Sequence, residues 1–375
     1  MKYLRNIEKL EGVKILLRLD LNVPIQNDVV MDDFRIRKIL PTISYLQKKK
    51  AKIIMMSHIE SSTHHSSLSP IAEHIKKMGI ECVFVKNYKN ALKEIEKLDN
   101  CVILLENLRE HEGEMKNDRA FARELASLGD IYVNEAFAVS HREHASISAI
   151  TEFLPSYAGL LFEEEIRHLS TAFNPDHPFL FILGGAKFET KLPLIEKFLN
   201  IADKVFVGGA LANNFFKEQG KEIGESVVSE KNFNLSRFIG NPRLLLPIDA
   251  VVVDGKTLIK NTDNIFSDET IYDAGPETIK LLEKEINSAK YILWNGPLGA
   301  YEQGFMQPTL DLAKMVAEST LNGTKSILGG GDTLATISHL KIEDKFTFVS
   351  TGGGAMLEFL ADGTLVGIEA LEKSN

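Results

Sequence analysis

Cysteine is scarce: the 375 residues contain two, Cys82 and Cys101. That count excludes a disulfide framework, and each thiol opens an apolar run, Cys82–Val85 or Cys101–Leu105, where it behaves as a small hydrophobe. No run approaches the ~18 apolar residues of a membrane span. The segment Met1–Leu10 is mixed and charged, without the apolar core of a secretory leader. A cytoplasmic, membrane-free protein is expected. Basic tails and arms are also missing, and the formal net charge is −9, which argues against a general nucleic-acid binder. Anionic ligands would have to be met by local cations.

What is present is ordinary globular composition, 44% hydrophobic and 25% charged, in a chain long enough for two domains. Strand-like runs alternate with amphipathic helical stretches, the pattern of α/β folds with parallel sheets. In the first half the runs are Val13–Leu19, Lys52–Met56, Cys82–Val85, Val102–Leu105 and Ile131–Val133. Between the first two, Ile36, Ile39, Leu40, Ile43 and Leu46 recur at helical spacing. Ser69–Pro70 reads as an N-cap and first turn, and Asn117 as the cap of a helix running to Leu128. An acidic helical stretch, Phe162–Phe173, closes at Asn174–Pro175 and marks the boundary between halves. Ser61–Ser69, rich in Ser and His and including His64 and His65, reads as a surface loop.

Four runs in the second half end in glycine. Phe179–Leu183 precedes Gly184–Gly185, Val205–Val207 precedes Gly208–Gly209, Ser326–Leu328 precedes Gly329–Gly330–Gly331, and Phe346–Val349 leads to Gly352–Gly353–Gly354. Each is followed by helix-forming sequence, so bare backbone N–H groups and helix N-termini collect along one sheet edge, an arrangement suited to phosphate. Lys187 and Lys191, four apart, share a face near one such N-terminus, where their like charges favour an incoming polyphosphate. Asp332 follows the triple glycine and suits either a helix N-cap or one carboxylate on a phosphate-bound Mg²⁺. Asp254–Gly255–Lys256–Thr257 imitates the end of a P-loop, but Ala250 stands where its first glycine belongs, and a β-hairpin fits better. No G-x-G-x-x-G follows a strand.

The first-half strands end in polar and cationic groups instead: Asp20 and Asn22 with Arg35 beyond, Ser57–His58, Glu106, Asn107 and Arg109, then Asn134, Glu135, His141, Arg142 and His144. A lone surface Arg is usually solvated, but three at equivalent strand ends suggest a carboxylate or phosphate site. His141 and His144 could instead be metal ligands, although no Cys stands near.

From about Val13 to Leu371 these motifs resemble the phosphoglycerate kinase family. The matching segments are Arg18-Leu-Asp-Leu-Asn-Val-Pro24 with Arg35–Ile36, Ser57–His58, Leu105-Glu-Asn-Leu-Arg109, Tyr132-Val-Asn-Glu-Ala-Phe137 leading to His141-Arg-Glu-His-Ala-Ser146, Gly184-Gly-Ala-Lys-Phe-Glu-Thr-Lys191, Trp294-Asn-Gly-Pro297, Gly329-Gly-Gly-Asp-Thr333 and Ser350-Thr-Gly-Gly-Gly-Ala355. The resemblance implies an α/β fold of two Rossmann-like three-layer domains with mostly parallel sheets facing across a cleft. It implies residues 1–161 as a phosphoglycerate-binding domain, 162–173 as the interdomain helix, 174–355 as the nucleotide-binding domain, and 356–375 packing back on the first. The implied reaction is phosphoryl transfer between 1,3-bisphosphoglycerate and MgADP, giving 3-phosphoglycerate and MgATP, by a monomer.

By motif position, Asp20, Asn22, Arg35, His58, Arg109 and Arg142 would hold the phosphoglycerate. Gly185, Ala186, Lys191, Gly208, Gly209, Asn295, Pro297, Glu302, Gly330, Gly331, Asp332 and Thr333 would surround the nucleotide, with Asp332 at Mg²⁺. Arg35, Lys187 and Lys191 would stabilise the phosphoryl group in transfer. The residues agree with that chemistry: an acceptor carboxylate is ionised at neutral pH and needs no general base, leaving positioning and charge stabilisation.

The chain departs from the family pattern after Ser57–His58, where Leu-Gly-Arg-Pro is usual and Ile59, Glu60, Ser61 and Ser62 stand. Ser61 cannot replace the missing guanidinium and Glu60 adds a repelling charge, an expected cost of about 1.5–3 kcal/mol in substrate binding. Milder departures are Glu135 for Asp, Ala138 for Gly and Pro308 for Gly. They leave two other readings open: a related kinase for another small carboxylate, or a weakened member that binds nucleotide without turnover.

Overall fold

The computed structural model describes residues 1–60, 67–97 and 102–374. Ser61, Ser62, His64, His65 and Cys101, singled out above, lie outside the described residues. The chain divides into two compact units, Met1–Arg167 with Asp362–Asn375, and His168–Ala361.

The first unit carries β1 (Lys14–Arg18), β2 (Ile25–Gln26), β3 (Val29–Val30), β4 (Lys52–Met56), β5 (Cys82–Val85), β6 (Val102–Leu105), β7 (Ile131–Asn134) and β8 (Ser156–Ala158). Six of them form a wholly parallel sheet in the order β5-β6-β4-β1-β7-β8. Successive side chains point to opposite faces, yet β6 is buried at every position and β1 and β4 at all but the first. Both faces are therefore covered, as parallel sheets require. The chain builds outward from β1 on one side through β4 and returns to its other flank at β7. Such a reversal leaves an uncovered crevice at the strand ends, between β1 and β7.

The second unit carries β9 (Phe179–Leu183), β10 (Lys204–Val207), β11 (Leu244–Leu245), β12 (Asp249–Asp254), β13 (Lys256–Asn261), β14 (Thr270–Ala274), β15 (Tyr291–Asn295), β16 (Lys325–Gly329) and β17 (Phe348–Val349). Its main sheet, also parallel, runs β11-β10-β9-β15-β16-β17, with the reversal between β9 and β15. That is the strand order of doubly wound nucleotide-binding sheets. The P-loop imitation is a hairpin: β12 and β13 pair antiparallel around Gly255 at φ +61°, and β14 completes a three-stranded sheet.

Several helix signals shift by a residue or more. The helix Phe34–Lys48 buries Ile36, Ile39, Thr42, Ile43 and Leu46, whereas Leu40 is only half-buried. Leu68, not Ser69, is the N-cap of Ser69–Lys77, and the Leu68 N–H is met from β6 by Glu106 Oε1 at 2.8 Å. Asp118, not Asn117, caps Arg119–Ala126 by accepting from the Phe121 N–H at 2.7 Å. Asn117 takes a left-handed conformation and accepts from the Ala149 N–H at 3.1 Å. The milder departures fit locally: Ala138 sits in the short 3₁₀ turn Phe137–Val139 and Pro308 in the first turn of Gln307–Leu321, where proline loses no hydrogen bond.

The boundary stretch is the helix Leu160–Ser170 followed by a 3₁₀ turn, Thr171–Phe173, and the division into units falls inside it. Gly159, just before its start, offers no side-chain cap. Glu135, at the end of β7, supplies one: its carboxylate accepts from the Leu161 N–H at 3.0 Å, the Phe162 N–H at 3.1 Å and the Thr42 hydroxyl. A Cβ at Gly159 would collide with that carboxylate. Burial dominates and raises the Glu135 pKa to about 6, against hydrogen bonds that lower it. A folded pKa above the unfolded one means that Glu135 contributes stability at pH below about 4.5, lost as pH rises through about 6. Unfolding of wild type and Glu135→Gln compared across pH 4.5–7 should therefore show the difference moving in the variant's favour by about 2 kcal/mol. A difference independent of pH would mean that the carboxylate is ionised throughout.

Candidate functional site

In the first unit the expected residues gather beside the β1/β7 crevice. Arg35, in the first turn of its helix, donates through Nη1 to Asp20 Oδ2 at 2.7 Å and to the Asn22 carbonyl at 3.1 Å. Asp20 also accepts from the Asn22 N–H at 3.1 Å, so the turn after β1 closes on its own carboxylate. His58, at the end of β4, is buried. Its pKa falls far below the usual range, first through burial and then through the charges of Arg18, Arg109, Arg142 and Arg35. The ring is neutral. Because Nδ1 lies 3.3 Å from Arg18 Nη2, which can only donate, the ring proton belongs on Nε2.

Arg18 had no role assigned from sequence. Fully buried at the end of β1, it donates through Nε to Ser146 Oγ at 2.7 Å and through Nη1 to the Leu19 carbonyl. Glu114, equally buried, lies 3.9 Å from Arg18 Nη2 and accepts from the Ser146 hydroxyl at 2.6 Å and N–H at 3.0 Å. This buried layer supports the imidazole. His144 flanks it, 3.9 Å from Glu114, its pKa lowered to about 4 by burial and by the surrounding arginines. No group of three or more His, Cys, Asp or Glu suited to a metal assembles among the described residues.

Arg109 and Arg142 meet at Glu60. One carboxylate oxygen, Oε1, accepts from Arg109 Nη1 at 2.8 Å and from Arg142 Nη1 at 3.0 Å. These hydrogen bonds hold the Glu60 carboxyl below its usual pKa. The charge expected to repel a ligand is thus neutralised by two of the residues expected to bind one.

In the second unit the reversal between β9 and β15 is a seam of backbone. The Gly184 N–H donates to the Asn295 carbonyl at 2.9 Å and the Gly185 N–H to the Pro297 carbonyl at 2.8 Å. A Cβ on Gly184 would stand 2.1 Å from the Pro297 oxygen, and one on Gly209 would stand 2.7 Å from the Gly185 nitrogen. Only glycine permits this approach. The Lys191 ammonium, nearly buried, donates to the Gly184 carbonyl, and burial lowers its pKa to about 8 against the raising effect of Asp332. Lys187 is exposed at the N-cap of Phe188–Phe198.

Beside the seam lies a cavity of about 540 Å³ whose wall includes Gly185, Ala186, Gly209, Pro297, Glu302 and Asp332. The volume suits a drug-sized or nucleotide-sized ligand. Gly208 is buried against the Phe206 ring and is not part of that wall. Asn295, Gly330, Gly331 and Thr333 stand at the neighbouring strand ends, where the Thr333 hydroxyl accepts from the Gly296 N–H at 2.8 Å. Asp332 is not the N-cap; Gly330 is, and Asp332 sits exposed in the first turn of Gly331–Ile337, accepting from the Tyr301 hydroxyl at 3.3 Å. Asp273, on the cavity wall, escaped sequence reading: it is buried, its Oδ2 has no hydrogen-bond partner among the described residues, and burial raises its pKa to about 8. Nothing in its local sequence marks it, because the burial comes from the loop at Gly299.

The phosphoglycerate kinase family model matches residues 4–363. The chain is 42% identical to a phosphoglycerate kinase of Dictyoglomus turgidum over 97% of both chains, and 41% identical to one of Pseudothermotoga lettingae over 96% of both. Among solved structures it resembles phosphoglycerate kinase from Coxiella burnetii with a TM-score of 0.83, 35% identity and coverage of 99% and 98% of the two chains. The corresponding figures for that of Pyrococcus horikoshii are 0.86, 28%, 100% and 99%.

The seam predicts a contrast. Gly184→Ala should cost about 1–3 kcal/mol or more in urea unfolding, because backbone on both sides must move. Gly331→Ala, with nothing within 4 Å of its Cβ and no positive φ, should stay within about 0.5 kcal/mol of wild type.

Proposed function

Because the chain belongs to the phosphoglycerate kinase family, a family of enzymes that transfer a phosphoryl group to and from a carboxyl group, we propose specific roles for its residues in the transfer between 1,3-bisphosphoglycerate and ADP. The unit Met1–Arg167 with Asp362–Asn375 takes the phosphoglycerate, and His168–Ala361 takes the nucleotide. The observation that carries this reading is the gathering of His58, Arg109 and Arg142 beside the Arg35–Asp20 pair at one set of strand ends. Forked guanidinium donors suit the carboxylate and phosphate of the acid. A neutral His58 with its proton on Nε2 adds a donor without a charge. The comparisons favour neither a kinase for another small carboxylate nor a member without turnover.

The nucleotide reading rests on the glycine seam and the cavity beside it. Backbone N–H groups at Ala186 and Gly209 and the helix starts at Phe188, Ala210 and Gly331 provide the positive ends on which phosphates rest. Asp332 fits Mg²⁺, since its exposed carboxylate is on the wall and a phosphate-bound ion needs one or two protein oxygens. A bound Mg²⁺ would neutralise phosphate charge. The reading extends to a cytoplasmic monomer, for which the low cysteine content offers compartment support only.

In the transfer the acceptor is an anion attacking an anionic phosphoryl group, so the barrier is dominated by charge. Lys191, Lys187 and Arg35 supply it in the right sign, and Lys191, held out of water, acts at low dielectric.

A coupled assay with 3-phosphoglycerate and MgATP tests the activity directly. Lys191→Ala should lower kcat by about 10²–10³ while changing nucleotide affinity far less; equal losses in both would contradict a transition-state role. With a pKa near 8, Lys191 loses its charge as pH rises through that value. The kcat/KM for MgATP should therefore fall above about pH 8 in wild type and hold to higher pH in Lys191→Arg. A limb unchanged by that substitution would assign the titration to another group.

A further inference from the structure

Glu60 is exposed, yet its placement is fixed. The Asn107 side chain takes both backbone groups of Ile59, accepting from its N–H at 3.2 Å and donating to its carbonyl at 3.0 Å. Asn22 Oδ1 accepts from the Glu60 N–H at 3.1 Å. The residue is thus tied to the chain after β1 and the chain after β6 before its side chain makes any contact. That side chain then offers one oxygen to Arg109 and Arg142 together. A carboxylate oxygen shared between two guanidinium groups is the geometry with which a bound acid or phosphate would be received.

The two arginines arrive from separate strand ends, after β6 and after β7. Among the described residues, Glu60 is the acidic side chain with an ion pair to both. Asp20, another acid at these strand ends, is engaged by Arg35.

We propose that Glu60 is an internal competitor for the anionic substrate, holding Arg109 and Arg142 until the substrate displaces it and so setting the affinity of this half-site. The proposal rests on the reading of that site as the phosphoglycerate site. Ion pairs at partly exposed groups are weak, and the Glu60 and Arg142 side chains are 45% and 38% exposed. The competitor therefore lowers affinity without blocking the site, by roughly three- to tenfold. It also keeps the two arginines at a fixed separation when no substrate is bound.

Glu60→Gln and Glu60→Ala test this against wild type. The KM for 3-phosphoglycerate should fall by about three- to tenfold in both, with the KM for MgATP as internal reference. Calorimetric titration with 3-phosphoglycerate alone, and with inorganic phosphate alone, should show the same gain in affinity. An unchanged or weaker affinity for both anions would overturn the proposal and make Glu60 a residue that positions the arginines. If no protein turns over 3-phosphoglycerate but the variants bind inorganic phosphate more tightly than wild type, the competitor stands and the substrate assignment falls.

Discussion

All strands of a parallel sheet finish on the same edge, and wherever the winding reverses direction the crossovers part and leave two strand ends uncovered. Both units obey this constraint, one between β1 and β7 and the other between β9 and β15. The residues proposed for the chemistry lie at or beside those two gaps. The first is furnished with charge: Asp20 and Arg35 at one lip, and the β7 end leading to Arg142 at the other. The second is furnished with bare backbone, because glycine at 184, 185, 209 and 296 lets loops touch through their amides.

The charged gap depends on what lies beneath it. Arginine at a fully buried position costs several kcal/mol in lost hydration unless its donors are met. Arg18 meets Ser146, the Leu19 carbonyl and His58, with Glu114 close behind. The imidazole is consequently fixed in tautomer and orientation before any ligand arrives. Preorganisation of this kind is what a site that works by electrostatics needs, since reorganising dipoles during reaction would consume part of the gain.

Much of this was legible in the sequence, for physical reasons that can be named. The strands Lys52–Met56, Val102–Leu105 and Phe179–Leu183 carry both-face burial in their composition, so an apolar run suffices to find them. Glycine pairs at strand ends announce close backbone approach. Distant partnerships were not legible. The cap on Leu160–Ser170 comes from Glu135, and Thr42, buried where Leu40 is only half-buried, reaches that same carboxylate with its hydroxyl. Glu60 read as a repelling charge because no local pattern reveals that residues 60, 109 and 142 converge. Asp273 is hidden similarly, its environment built by a loop beyond the next helix.

The seam of the second unit has a consequence for how such a protein can change. Its contacts are made by peptide groups, and substitution has no side chains there to exchange: a larger residue at 184 or 209 collides with backbone. The end of the cavity at the seam is therefore nearly immutable, and drift is confined to lining made of side chains, where Phe216, Val227, Ile271 and Tyr272 present replaceable surfaces. On the proposed nucleotide reading, divergence in nucleobase preference would be uncoupled from the grip on phosphate, so one could wander over evolutionary time while the other stayed put.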